Sequence, residues 1–198
     1  MILINGHVID LVFGFVTVAI ALGLSYVFLL TLLSRTRQKI WVPRSYREGD
    51  PSVIFVIPCL NEEAVIEASL QRLLAMDYPD LHILVIDDGS DDDTAQIVRG
   101  LDAPQIHLLQ RHLPNARLGK GEALNAAFAH IRAGNLCDVS GPENVLIVVV
   151  DADGRMEPDS LRYVIPAFED PTLGGVQIGV RINNRTNNLL ARMQDMEF

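Results

Sequence analysis

The chain has 198 residues, 49% of them hydrophobic and 21% charged, with a formal net charge of -9. That length carries one domain with a core of its own and a small appendage. From Ser52 onward there are 22 acids against 11 basic residues, a balance that repels a nucleic-acid backbone and admits anionic ligands only where a metal or local basic residues reverse the field.

Residues 11–33 carry no charge and are interrupted only by Gly14, Thr17, Gly23, Ser25 and Thr31. At about 1.5 Å rise per residue such a helix crosses the roughly 30 Å hydrocarbon core of a bilayer. It lacks the basic start, shorter apolar run and small-residue cleavage site of a secretory signal, so residues 1–34 are expected to be an uncleaved anchor; an isolated core helix is the alternative. Five basic residues follow, Arg35, Arg37, Lys39, Arg44 and Arg47, against Glu48 and Asp50. The positive-inside tendency therefore predicts a single-pass membrane protein with its C-terminal domain in the cytoplasm. Residues 35–51, with Pro43, Gly49 and Pro51, read as a basic juxtamembrane linker. Trp41 and Tyr46 fit either the headgroup level or packing on the domain.

Beyond the linker, apolar strands alternate with amphipathic helices. Residues 52–58 (SVIFVIP) predict a buried strand. Asn61 is placed to cap the next helix, with Glu62 and Glu63 in its first turn and Ile66, Leu70, Leu73 and Leu74 on its apolar face. A turn at 77–80 leads to a strand over 82–87 and a short helix over 94–99. Residues 106–110 predict a third strand and 121–133 a helix with Leu124, Ala127, Phe128 and Ile131 on one face. Residues 145–150 are apolar and β-branched, the mark of a strand buried on both faces. Pro158 opens a further helix, 175–182 reads as a strand, and 188–198 as a helix. Such alternation implies βαβ units and a mainly parallel sheet.

The two cysteines, Cys59 and Cys137, have no metal-ligand spacing and read as buried reduced thiols of a cytosolic domain. His7, His82, His107, His112 and His130 show no paired zinc spacing and read as surface or strand-edge residues. Four loops concentrate the polarity: 58–63 (PCLNEE), 87–93 (DDGSDDD), 117–125 (RLGKGEALN) and 151–154 (DADG). Alone, each is weak, since Asp-Gly turns and acid runs are usually solvated and Asp151 and Asp153 also fit two exposed acids after a core strand. If the strands are parallel neighbours, however, the first, second and fourth loops share one edge of the sheet, where ligands of open α/β sheets sit. Two acids one residue apart at such an edge repel each other unless a hard cation lies between them. Other nucleotide schemes fail. No G-x-x-x-x-G-K-[ST] loop is present, CLNEE stands where G-x-G-x-x-G would come after the first strand, and Gly154 comes too early for an EF-hand.

The ordered set PCLNEE, VIDDGSDDDT, GKGEALN and VVVDADG resembles the family 2 glycosyltransferases. The tail GGVQIGVRINNRTNNLLARMQDMEF is similar to their membrane-bound polysaccharide-synthase branch, which includes cellulose, hyaluronan and poly-N-acetylglucosamine synthases. The resemblance covers residues 52–198. It implies an α/β, GT-A (Rossmann-like) nucleotide-sugar-binding domain, a mainly parallel sheet with flanking helices, preceded here by one N-terminal transmembrane helix. It also implies metal-dependent, inverting sugar transfer from a nucleotide-diphosphate sugar, with a UDP-sugar expected, to a glycan or lipid acceptor. Residue by residue, Pro58, Leu60 and Glu62 would line the nucleoside pocket. Asp87 would accept a hydrogen bond from the base, and Asp88 would support the loop. Arg117 and Lys120 would approach the diphosphate. Asp151 and Asp153 would form the D-x-D pair holding Mg2+ or Mn2+.

The same branch needs a base from a later E-D or T-E-D motif, and its processive members a Q-x-x-R-W motif and further membrane helices. None of these occurs before Phe198. The expectation is therefore a donor-binding half with an incomplete C-terminus. The alternatives are a catalytically inactive nucleotide-sugar-binding or regulatory membrane module, with a partner subunit supplying the missing half, and a complete enzyme of unusual brevity. No residue can be nominated as base; Asp170 and Asp195 are late acids outside any matching motif.

Overall fold

A computed structural model describes residues 6–36, 42–134, 136 and 144–179. Arg37, Lys39, Trp41, Cys137, Asp195 and the helix expected over 188–198 lie outside the described residues. Contacts divide the chain into two units, Met1–Trp41 and Val42–Phe198.

The described residues of the first unit form one helix, α1 (Gly6–Thr36). Its stretch Asp10–Leu33 has a mean hydropathy of 2.4 and is long and apolar enough to cross a membrane. Thr17 and Thr31 direct their hydroxyls to the carbonyls of Phe13 and Val27, at 2.8 and 2.9 Å. These polar side chains are thus satisfied within the helix, as an apolar surround requires.

In the second unit, β1 (Ser52–Cys59), β2 (Leu81–Asp87), β3 (Ile106–Gln110) and β4 (Val145–Val149) form one parallel sheet in the order β3-β2-β1-β4. Between them run α2 (Ile66–Leu74), α3 (Thr94–Gly100) and α4 (Lys120–Arg132), and α5 (Ser160–Ala167) comes after β4. Successive strand residues point to opposite faces, so β1 feeds two cores. Val53, Phe55 and Ile57 pack with Ile66, Leu70 and Leu73 of α2, Val98 of α3, and Leu161 and Ile165 of α5. Ile54 and Val56 pack with Leu84 and Ile86 of β2, Ala123 and Ala127 of α4, and Leu136.

Four expectations need correction. The strand over 145–150 is not buried on both faces: among the described residues β4 is an outer strand, and Ile147 and Val149 are 38% and 49% exposed. Both share the face of Ile54 and Val56, which α4 covers. A helix about 10 Å across spans only about two strands set roughly 4.8 Å apart, and α4 packs on β1 and β2. Asn61 does not cap a helix. It adopts φ 58°, α2 begins at Ile66 after a turn, and its N-cap Val65 makes no side-chain capping bond. The helix expected from Pro158 begins at Ser160. Of the strand expected over 175–182, the described part, 175–179, is irregular.

The segment 42–51 is tied to the domain. Arg44 forms a bidentate pair with Asp50, at 2.9 and 2.6 Å, and reaches Glu169 at 2.9 Å. Its backbone N–H bonds to the carbonyl of Arg162. The Arg44 guanidinium holds the Asp50 carboxyl below the usual carboxylate range. Tyr46 packs edge-on against Tyr78, with ring centroids 4.7 Å apart, and under the Arg162 guanidinium. Of its two sequence alternatives, Tyr46 therefore takes packing on the domain.

At the far side of the sheet the rings of His82 and His107 lie 5.8 Å apart. His82 Nε2 lies 3.0 Å from Asp80 Oδ1, while His82 Nδ1 and His107 Nε2 are buried with no hydrogen-bond partner. Burial, and then the neighbouring His82 and His130, lower the His107 pKa from 6.5. The unfolded chain therefore takes up a proton at His107 before the folded one does, so stability falls as pH drops below 6.5 towards the folded value. We expect the unfolding temperature of the wild type to decline as the pH falls below the ordinary histidine value, and His107→Leu to flatten that decline. Equal slopes for the two proteins would rule out His107 as the group responsible.

Candidate functional site

The parallel register brings the strand ends together. Cys59 pairs with Asp87 and Asp87 with Gln110, so β1, β2 and β3 end in one row. The loops beyond them open onto a cleft of about 420 Å³ lined by Pro58, Cys59, Leu60, Glu62, Asp88, Arg117, Gly119, Lys120, Ala123, Asp151, Ala152 and Asp153. Of the nine residues singled out in the sequence, eight therefore border one space: Pro58, Leu60, Glu62, Asp88, Arg117, Lys120, Asp151 and Asp153.

Asp87 is the exception. It is 2% exposed and does not line the cleft. Its oxygens accept from Ser90 N and Gln110 Nε2, both at 2.9 Å. Asp87 thus holds the loop from beneath, while Asp88 borders the cleft. Asp88 is itself held by Arg111, whose Nη1 donates to it at 2.6 Å; both side chains are about 10% exposed. Arg111 also donates to the Asn115 carbonyl and so joins the second loop to the third.

A lattice of hydrogen bonds fastens the first loop to the second. Asn61 N donates to Ser90 Oγ at 3.0 Å and Asn61 Oδ1 accepts from Asp91 N at 2.8 Å. Glu62 N donates to Thr94 Oγ1 at 2.9 Å and Glu63 N to Asp92 Oδ2 at 3.1 Å. Asp93 N returns a bond to Glu63 Oε2 at 3.0 Å. Desolvation pushes the Asp92 pKa up, but the Thr94 hydroxyl and the surrounding backbone N–H groups outweigh it, so the net shift is downward. Glu63, which the sequence placed in the first turn of a helix, and Asp92 are cross-braces. Gly89, at φ 82°, completes this wall, since an added Cβ would meet Ala116 Cβ at 3.0 Å.

The basic residues are engaged with acids. Arg117, itself at φ 62°, donates twice to the Gly89 carbonyl, at 3.0 and 2.6 Å, and pairs with Asp91; the Asp91 bond raises its pKa. Lys120, the first residue of α4, pairs with Asp151, both half-exposed. The Cys59 thiol is pushed up to about 12 by burial, and secondarily by Glu62, Asp87 and Asp92, so it is no thiolate nucleophile.

The turn carrying Asp151 and Asp153 is pinned at each end. Val150 N donates to the Val56 carbonyl at 3.1 Å and Gly154 N to the Asp151 carbonyl at 2.8 Å. Between the acids, the Ala152 carbonyl accepts from the buried hydroxyl of Ser69 at 2.6 Å. Ser69 was missed in the sequence, although a polar residue three after Ile66 and four before Leu73, inside the apolar stripe of α2, was a signal. Arg111 was missed too; its signal was its place directly after a strand, at the ligand-facing edge. Asp170 accepts from the N–H and hydroxyl of Thr172 just beyond α5, outside the cleft lining. Among the described residues no group of three His, Cys, Asp or Glu could hold a metal. A hard cation at Asp151 and Asp153 would take the two carboxylates and complete its shell with phosphate oxygens and water, the usual habit of Mg2+. The donor set fits, and the ammonium of Lys120 shows that Asp151 already accepts a positive charge.

The family model for glycosyl transferase family 2 matches residues 54–197. The beta-monoglucosyldiacylglycerol synthase of Synechocystis sp. is 36% identical over 152 residues, covering 75% of this chain and 29% of the relative. The poly-beta-1,6-N-acetyl-D-glucosamine synthase of Staphylococcus epidermidis is 27% identical over 156 residues, covering 78% of this chain and 34% of the relative. The chain thus spans about a third of the length of these relatives. Among solved structures, the mannosyltransferase PcManGT from Pyrobaculum calidifontis in complex with GDP-Man and Mn2+ superposes with a TM-score of 0.61 at 29% identity, covering 84% of this chain and 47% of that one.

The acid turn leaves no room for a side chain at Gly154, where a Cβ would lie 2.8 Å from Val150 Cγ1 and 2.9 Å from the Asp151 carbonyl. We expect Gly154→Ala to destabilise the domain by about 1–3 kcal/mol, the usual cost of overpacking, read as a lowered unfolding temperature. An unchanged temperature would mean that the turn is looser than these contacts imply.

Proposed function

The chain belongs to glycosyl transferase family 2 and has a GT-A-like fold, and on that premise we propose that its cleft binds the nucleotide-diphosphate sugar of a metal-dependent, inverting glycosyl transfer to a glycan or lipid acceptor. The observation that carries this reading is the convergence of Pro58, Leu60, Glu62, Asp88, Lys120, Asp151 and Asp153 on one cleft. The Mn2+ and GDP-Man bound to the similar mannosyltransferase support the same chemistry here.

The residues divide the donor between them. Pro58 and Leu60 offer apolar surface to the flat face of a nucleobase. Glu62 and Asp88 offer acceptors to base N–H or ribose hydroxyl groups, and Asp88 is kept in place by Arg111. The phosphates fall to the other wall, formed by Gly119, Lys120 and Ala123 in the first turn of α4. Unpaired N–H groups at a helix N-terminus favour anions, which offsets the acidity of the domain. Asp151 and Asp153 would hold a divalent cation, Mg2+ or Mn2+, which when bound neutralises charge on the departing diphosphate as a Lewis acid. Lys120, once released from Asp151, is free to turn to the phosphate oxygens. In the transfer itself the bond from the sugar C1 to the diphosphate oxygen breaks while the acceptor oxygen bonds to C1 from the opposite face. The acceptor's proton goes to a base that none of the residues named here supplies. With α1 as a membrane anchor and the basic residues after it on the cytoplasmic side, the donor is drawn from the cytoplasm.

Titration of the detergent-solubilised protein with UDP-sugars and GDP-sugars, with and without Mn2+, tests the reading. We expect saturable, Mn2+-dependent binding of one nucleotide class. Asp153→Ala should abolish the metal-dependent part while leaving the unfolding temperature within a degree or so, because an exposed acid is no packing element. Absence of nucleotide binding by the wild type under every condition would overturn the proposal.

A further inference from the structure

We infer that Ser69 is a positioning residue for the cation-binding turn, its hydroxyl fixing the peptide that joins Ala152 to Asp153 and thereby the separation of the two carboxylates. This rests on the reading of Asp151 and Asp153 as the cation site.

The contact spans 83 positions of sequence, so it is a tertiary device and not local helix chemistry. Ser69 and Ala152 are 4% and 3% exposed, which leaves no water to replace the bond. A helical serine commonly bonds back to the carbonyl four residues earlier. Here that carbonyl, of Val65, accepts the Ser69 backbone N–H at 3.1 Å, while the hydroxyl reaches out to the other segment. The mount is stiff. Ile66 and Leu70 on either side of Ser69 are fully buried, and both belong to the core cluster that also takes in Ala152.

Removing the hydroxyl would leave a buried carbonyl without its donor, a state that proteins avoid. The peptide would rotate towards solvent, and rotation there carries the Asp153 side chain with it relative to Asp151. The anchors at Val56 and Gly154 would then remain, and neither acts on the peptide that joins Ala152 to Asp153. Ser69 thus stands behind the ligands as an outer-shell partner, a class whose loss commonly weakens metal binding roughly 10–100-fold.

Free Mn2+ measured by electron paramagnetic resonance, with the full-length protein in detergent and saturating UDP, tests this directly. We expect Ser69→Ala to weaken Mn2+ binding about 10-fold or more while UDP binding in EDTA is unchanged. Ile66→Val, which loosens the same helix without touching the turn, should lower the unfolding temperature and leave Mn2+ affinity alone. Wild-type Mn2+ affinity in Ser69→Ala, or an equal loss in Ile66→Val, would overturn the positioning role. If the wild type binds UDP or GDP but no Mn2+, the metal reading fails and the inference falls with it; if it binds neither nucleotide and no Mn2+, the donor reading fails as well.

Discussion

The parallel pairing of β1 with both β2 and β4 is the constraint on which the site depends. Parallel strands run their carboxyl ends to one edge of a sheet, and the loop leaving each strand must begin there. In this chain the consequence is a single rim built from four separate stretches of sequence. Cys59, Asp87 and Gln110 end abreast. β4 pairs with β1 as far as Val149, opposite Val56, with one more bond from Val150 N to the Val56 carbonyl, and its acid turn climbs the remaining distance. A register slip of one residue in β1 would exchange its two cores and turn Leu60 and Glu62 away from the cleft.

Charge is organised with equal economy. The domain is acidic, yet its cleft walls are not uniformly so, because each basic residue at the rim is matched to one acid: Arg111 to Asp88, Arg117 to Asp91, Lys120 to Asp151. The three pairs differ in kind. Arg111–Asp88 is largely shielded from water and acts as a strut, and removing either partner would strand the other. Arg117–Asp91 and Lys120–Asp151 are more exposed and individually weak, so their partners can be exchanged at little cost. The cleft thus combines a fixed pair that keeps its shape with looser pairs that can rearrange.

Much of this was legible in the letters. The alternation of apolar runs and amphipathic stretches is strong because burial on both faces forces it, and the strand at 106–110 and the helices at 94–99 and 121–133 emerge within a residue or so of their observed limits. The four polar loops, each commonplace alone, stood out together, because the alternation sets the first, second and fourth at one edge of a parallel sheet. What the letters hid was pairing at a distance. Whether Asp87 or Asp88 faces the cleft depends on Gln110 and Arg111, more than twenty residues away. Asn61 reads as a cap by composition, but Asp91 claims its side chain. The inward and outward faces of β4 look alike in sequence, and only the placement of α4 over β1 and β2 leaves Ile147 and Val149 uncovered.

The strap at 42–51 bears on where the folding unit starts. Arg44 ties Asp50 to Glu169 and to the Arg162 carbonyl, the Pro51 carbonyl accepts the Tyr78 hydroxyl, and Tyr46 packs edge-on against Tyr78. A soluble fragment cut at the first strand would discard the partners of Glu169, the Arg162 carbonyl and Tyr78 and bare the aromatic face beneath them. The residues that look like a dispensable spacer are the outermost course of the domain, and an excision meant to free it from α1 belongs ahead of Val42.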